Sequence, residues 1–241
     1  MRLCERLMIP QGITAVVGGG GKTTLLWRLA TELREHSHVL LTTTTHMWPP
    51  PCMVLNDPTQ AQIRQAFARD SLVAAGSLQA DGKLAQASSL HGDFQGLAEH
   101  VLIEADGSRG LPLKAPAVHE PALPQGVALT LAVAGMDCAG HRIAEAAHRP
   151  AIYAALAGAG ENEQITPEMV ARVLTHPQGQ AKGVSGRLAF VLNQADTPAK
   201  LAFARAVAAL LPGDTWIVAL IAEPAWAEHW RQGKPLPAEG V

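Results

Sequence analysis

Short apolar runs alternate with amphipathic stretches along most of the chain. Residues 12–17 (GITAVV) are β-branched and apolar and are bounded by glycine, the pattern of a buried strand. Between residues 23 and 34, Leu25, Leu26, Leu29, Ala30 and Leu33 recur at helical spacing. Residues 38–45 (HVLLTTTT) read as a second strand, and Pro49, Pro50 and Pro51 stop it because proline cannot donate to a ladder. Residues 100–107 (HVLIEADG) read as a third strand that runs into a polar end, and 128–135, 187–196 and 215–223 as three more. Thr166 followed by Pro167 opens one helix, and Pro198 opens another that continues over 201–211. Apolar strands alternating with helices predict an α/β fold, with a mainly parallel sheet covered on both faces.

Two stretches depart from that alternation. Residues 71–88 predict an antiparallel hairpin insertion turning at Asp81–Gly82, and 137–186, rich in alanine, histidine and glycine, predict a helical insertion or subdomain. The remainder predicts one domain over 1–241, since 241 residues at 48% hydrophobic suffice for a single large core. A net charge of −2 exerts no general pull on nucleic acid or an anionic membrane. Cys4, Cys52 and Cys138 are isolated and lack CxxC spacing, which excludes a disulfide framework and fits a reducing compartment. The opening MRLCERLMIPQG carries charge and lacks the apolar run of a signal segment, and no stretch nears the roughly 20 apolar residues that span a bilayer. The expectation is a cytoplasmic protein without nucleic-acid or membrane partners.

The glycine run Gly18, Gly19, Gly20 and Gly21, followed by Lys22, Thr23 and Thr24, lies between the first strand and the first helix. Glycines let backbone N–H groups converge on phosphate without a Cβ in the way, and the helix aims its positive end at the same point. A lysine there neutralises the β- and γ-phosphates, and the next hydroxyl binds Mg²⁺. The common pattern GxxxxGK[ST] would place glycine where Val16 stands, and KGGxGK[ST] would place lysine at Val17. The surviving GxxGKTT is similar to the shortened loop of Mur-type ligases. It predicts a three-layer, Rossmann-like P-loop fold that binds ATP or GTP with Mg²⁺.

Glu104 and Asp106 close the third strand two residues apart, on one face, where a carboxylate can hold the metal with Thr23. Arg109 and Lys114 follow and could reach a γ-phosphate or a second anionic substrate. Thr44 and Thr45 end the second strand near the phosphates, whereas Thr42 and Thr43 read as strand residues. FVLNQAD places Asn193 and Asp196 where GTPases carry N-K-x-D to read guanine, with Gln194 in place of the lysine. The strand end at 219–224 could meet the base from the other side. His119, Glu120, His148 and Arg149 occupy long polar loops suited to a second substrate. Their spacing matches no tight metal motif, and Cys138 reads as an inert buried thiol.

Six segments, VVGGGGKTTLL, LLTTTTHMWPP, VLIEADGSRGLPLKAPAVHEPALP, AAHRPAIYAALAG, ITPEMVARVLTHPQG and FVLNQAD, occur in the order found in YqeC-like proteins, which the chain resembles over nearly its whole length. Those proteins are accessory proteins of selenium-dependent molybdenum hydroxylases. The resemblance implies a P-loop nucleotide-binding fold and a role in maturing a selenium- or molybdenum-containing cofactor, with a cofactor intermediate or hydroxylase apoprotein as partner. Carried over with it are Lys22 and Thr23 for phosphate and metal, Glu104 and Asp106 at the strand end, and the Arg109–Lys114 loop. The expected activity is an NTPase. Its alternatives are ligase- or kinase-like transfer to a small acid or pterin, or a nucleotide-gated adaptor with little turnover.

Overall fold

The computed structural model describes residues 2–90, 93–221 and 226–237. One sheet dominates it. Its main strands are β1 (Gly12–Gly18), β2 (Val39–Thr43), β3 (Met53–Asn56), β4 (Leu72–Leu78), β5 (His100–Glu104), β6 (Val127–Gly135), β7 (Arg187–Asn193), β8 (Asp214–Ala219) and β9 (Trp226–Arg231). Their spatial order is β9-β8-β7-β6-β1-β5-β2-β4, with β3 on the outer edge of β4. Neighbours run parallel except for β9, which returns antiparallel to β8. The expected mainly parallel α/β sheet is therefore present, with β1 at its centre between β5 and β6.

The helices are α1 (Leu3–Arg6), α2 (Lys22–Leu33), α3 (Gln60–Ala66), α4 (Ile143–Ala146), α5 (Pro150–Ala157), α6 (Pro167–Thr175) and α7 (Pro198–Ala208). Side chains alternate across a strand, so β1 serves two cores. Val16 joins Leu25, Leu26 and Leu29 of α2 with Leu131, Val133 and Trp216 on one face. Ala15 and Val17 join Tyr153, Val173, Leu174 and Val207 of α5, α6 and α7 on the other. Thr166 and Thr197 cap α6 and α7 through their hydroxyls, with proline next in each case, as their sequences predict.

Two expectations change. The 71–88 stretch is not an insertion outside the sheet, because its first arm is β4, parallel to β2 and β3. Only its far end folds back, with Ser77 and Leu78 pairing antiparallel with Ala85 and Leu84. Likewise 137–186 is helical, as predicted, but not a separate subdomain: Tyr153, Val173 and Leu174 share a core with Ala132 and Ala134 of β6. The last predicted strand is observed to Ala219, and Ala222, Glu223 and Pro224 lie outside the described residues.

Leu174→Ala should therefore lower the stability of the whole molecule by about 2–5 kcal/mol in one cooperative urea transition. A separate early transition confined to these helices would contradict the shared core.

Candidate nucleotide-phosphate site

Strand β1 delivers the chain into the glycine run, where Gly18, Gly20 and Gly21 take φ of +102°, +78° and +103°. Side chains would be strained at all three. Gly19 is required by space instead: a Cβ there would lie 2.6 Å from the Leu111 carbonyl oxygen. The turn feeds directly into α2, whose N-cap is Gly21 and carries no side-chain cap. Among the described residues, the amides of Gly21, Lys22, Thr23 and Thr24 meet no acceptor. Four orphan donors and the positive end of a twelve-residue helix thus share one corner.

The earlier loop amides are already used. Gly18 N–H donates to both Asp106 carboxylate oxygens at 3.1 and 3.0 Å, Gly19 N–H to Val133 O at 3.0 Å, and Gly20 N–H to Leu111 O at 3.1 Å. The last bond is made by a strap, residues 107–112, that lies along the loop. Pro112 O takes the Gly135 N–H at 2.8 Å, and Arg109 and Gly110 turn the strap with φ of +53° and +77°. Arg109 itself is exposed.

Lys22 is buried, its ammonium donating to Gly18 O at 2.6 Å and lying 3.1 Å from Asp106 Oδ1 and 3.9 Å from Glu104 Oε1. The two carboxylates read together from sequence now separate. Glu104 Oε2 accepts from the Thr23 hydroxyl at 2.8 Å, which sets two hard oxygen donors side by side at the helix mouth. Burial pushes the Glu104 carboxyl above its usual range, against the pull of Lys22 and Thr23, so a nearby divalent cation would relieve a real desolvation cost. These residues fit Mg²⁺. Asp106 does not fit the metal role expected of it. It is fully buried, and Gly18, Lys22 and the Lys114 ammonium, 3.1 Å from Oδ2, already engage its oxygens.

Lys114 is also corrected. It is 1% exposed and pairs with Asp106 and with Glu120 Oε2 at 2.9 Å, so it faces no phosphate. Arg149 Nη1 then donates to Glu120 at 2.6 Å. A chain of alternating charge, Glu104–Lys22–Asp106–Lys114–Glu120–Arg149, runs from the helix mouth to the start of α5. Three carboxylates balance three cations, the condition under which buried charge is tolerated. Neither composition nor spacing signals this chain, because Lys22 and Arg149 lie far in sequence from the 104–120 stretch that holds the other members. His148 beside it is half-buried, and burial together with Arg149, Lys114 and Arg109 lowers its pKa. His119 is exposed, and burial pushes the Cys138 thiol up to about 12, in keeping with an inert cysteine.

At the far side of the loop, Asn193 donates through Nδ2 to Gly20 O at 2.8 Å and accepts the Leu220 N–H at 3.3 Å. Its amide ties the end of β7 to the glycine loop. Asp196 is exposed and takes the Lys200 ammonium at 2.8 Å. Thr42 and Thr43 donate to Ala75 O and Glu104 O at 2.9 and 2.8 Å, as strand residues should. The Thr44 hydroxyl, by contrast, is buried without a partner one residue beyond β2.

Comparison with known proteins gives the family. The YqeC protein family model matches residues 14–151, more than half of the chain and all of the loop, strap and charge chain up to α5. The chain belongs to the YqeC family. It is 34% identical over 189 residues to the protein described as "Uncharacterized protein YqeC" in Escherichia coli (strain K12), covering 71% of each chain. No solved structure matches. No helix among the described residues is long and apolar enough to cross a membrane.

The charge chain makes a pH prediction. Burial alone would raise the Glu120 carboxyl, but the Lys114 ammonium, the Ala117 N–H and the Arg149 guanidinium outweigh it and hold the group at about 2, against an ordinary 4.5. The unfolded state therefore binds the proton first, so this stability is present above pH 4.5 and is lost as pH falls toward 2. Glu104 shifts the opposite way, so the comparison needed is wild type against Glu120→Gln. The stability difference should shrink on acidification by up to about 1.4 kcal/mol per pH unit. A constant difference in chemical denaturation across that range would contradict the pairing.

Proposed function

We propose that this YqeC-family protein binds a nucleoside triphosphate with Mg²⁺ and hydrolyses it or transfers its phosphoryl group. The observation that carries the reading is the uncapped mouth of α2: four amides from Gly21 to Thr24, the Lys22 ammonium and the Thr23–Glu104 oxygen pair in one corner. The amides would stabilise charge on the phosphates from fixed positions, and Lys22 would add its ammonium as phosphate draws it from Gly18 O and Asp106. Thr23 and Glu104 would hold Mg²⁺, which when bound neutralises charge on the β- and γ-phosphates. Asp106 acts through others: it anchors Gly18 and holds Lys22 in the corner until phosphate competes for the ammonium. Asn193 fixes the loop to the end of β7, and its neighbour Asp196 presents an exposed carboxylate suited to the ring N–H donors of guanine. The tie to maturation of a selenium or molybdenum cofactor rests on the family resemblance.

One observation favours the nucleotide-gated adaptor as the second reading. The strap rests on the loop through Leu111 O and Gly20 N–H, so a ligand that recruits the Gly20 amide must first move the strap. A nucleotide would then control the position of Arg109 as well as fill a site.

Calorimetric titration decides the main reading. The wild type should bind ATP or GTP more tightly with Mg²⁺ than without. Lys22→Ala should weaken that binding by about 30-fold or more, since it strips a charged partner from a desolvated phosphate. Glu104→Gln should remove most of the Mg²⁺-dependent gain while sparing metal-free binding. Unchanged affinity in Lys22→Ala would overturn the proposal.

A further inference from the structure

Beyond the phosphate corner lies a cleft of about 230 Å³ that begins at Thr23 and Thr24 and is walled by Trp27, Met47, Trp48 and Pro51. Its walls are aromatic and apolar, and its inner end is the same first turn of α2 that carries the Thr23–Glu104 pair. The wall is built to stay in place. Met47 pairs with Leu84 and is buried, so the strand end is pinned by the hairpin return. The next residue, Trp48, is 60% exposed, with Gly82 near one ring edge and the Lys83 ammonium 5.2 Å over its ring centroid. Three consecutive prolines then stiffen the rim. An exposed indole anchored by its neighbours offers a stacking surface to a flat ring.

We propose that this cleft binds the planar, fused-ring heteroaromatic part of a second substrate, with that substrate's reacting group directed at Thr23 and Thr24. Tryptophan faces favour flat rings by stacking, and a space below the 300–1,000 Å³ usual for drug-sized ligands suits one ring system rather than a whole nucleotide. The sheet order separates this cleft from the nucleotide base. Trp48 follows β2, which lies beyond β5 on one side of β1, whereas Asn193 and Asp196 follow β7, beyond β6 on the other. A triphosphate on the α2 mouth would thus lie between its own base and the acceptor ring. The acceptor's alignment with the phosphates rests on the nucleotide reading; the ring site itself does not.

The test uses the full chain and the fluorescence anisotropy of 6-hydroxymethylpterin, with guanosine and adenosine as unphosphorylated competitors. Saturable binding is expected in the wild type and in Lys22→Ala. Trp48→Ala should weaken it about tenfold or more, and Trp48→Phe should restore it to within about threefold, since a stacked ring of this kind contributes on that scale. Triphosphate affinity in Trp48→Ala should stay within about twofold of wild type. Absence of saturable ring binding, or ring binding indifferent to Trp48→Ala, would overturn the proposal. Loss of triphosphate affinity in Trp48→Ala would also overturn it, by assigning the cleft to the nucleotide's own base. Ring binding without any triphosphate binding would uphold this site and remove the nucleotide reading instead.

Discussion

The Asp106 carboxylate is sealed from water and is met by the Gly18 amide and by the ammonium groups of Lys22 and Lys114. That meeting sets the shape of everything around it. A buried carboxylate is tolerated only where opposing charge and hydrogen bonds replace its hydration. Two lysines from distant segments are therefore drawn inward, one from the glycine loop and one from beyond the strap. Gly18 must present its amide to the carboxylate, and its φ of +102° follows. With the loop pinned at that end, the amides of Gly21 to Thr24 are left free at the other, facing the outlet of α2.

The same carboxylate adds an electrostatic link between the glycine loop and the start of α5, two regions whose elements β1 and α5 already share a core. Through Lys114 and Glu120 it connects the loop to Arg149, which holds a left-handed conformation with φ of +64° at the start of α5. A ligand that draws Lys22 toward a phosphate would leave Asp106 to Lys114 alone, and the balance of the remaining pairs would change with it. The strap lies between these partners, since 107–112 connects Asp106 to Lys114. The loop, the strap and the α5 start are thus electrostatically one unit.

Much of this was legible in the residues before any coordinates. The strands β1, β2 and β5 to β8 are mainly apolar, as strands buried on both faces must be, and their starts read correctly to within about a residue. By contrast, β5, β7 and β8 end at Glu104, Asn193 and Ala219, short of the polar ends that the sequence pattern included. β3 and β9 were not legible, because MVLN and WAEHWR alternate or mix polar groups; β3 forms along the outer side of β4, and β9 between β8 and the short return at Lys234–Pro235. The loop with Lys22 and Thr23 was plain from its glycines. Glu104 and Asp106 were found as a pair, but their division of labour depends on Gly18 and Lys114, and no local pattern carries that. Lys114 was misplaced for the same reason: a lysine in a proline-laced loop looks solvated until its two carboxylates are seen. Asn193 was singled out, and the structure gives it a tie to Gly20 that sequence could not show.

Membership of the YqeC family, shown by the match over 14–151, covers the loop, the strap and the carboxylates together. The proposed nucleotide site requires that the free amides at the mouth of α2 converge on a phosphate. Backbone amide chemical shifts recorded during titration with a non-hydrolysable Mg²⁺–triphosphate address it most directly. Large, saturable changes are expected at Gly21, Lys22, Thr23 and Thr24, with Gly20 following as the strap yields. Saturation that leaves those four amides unmoved while others shift would contradict it.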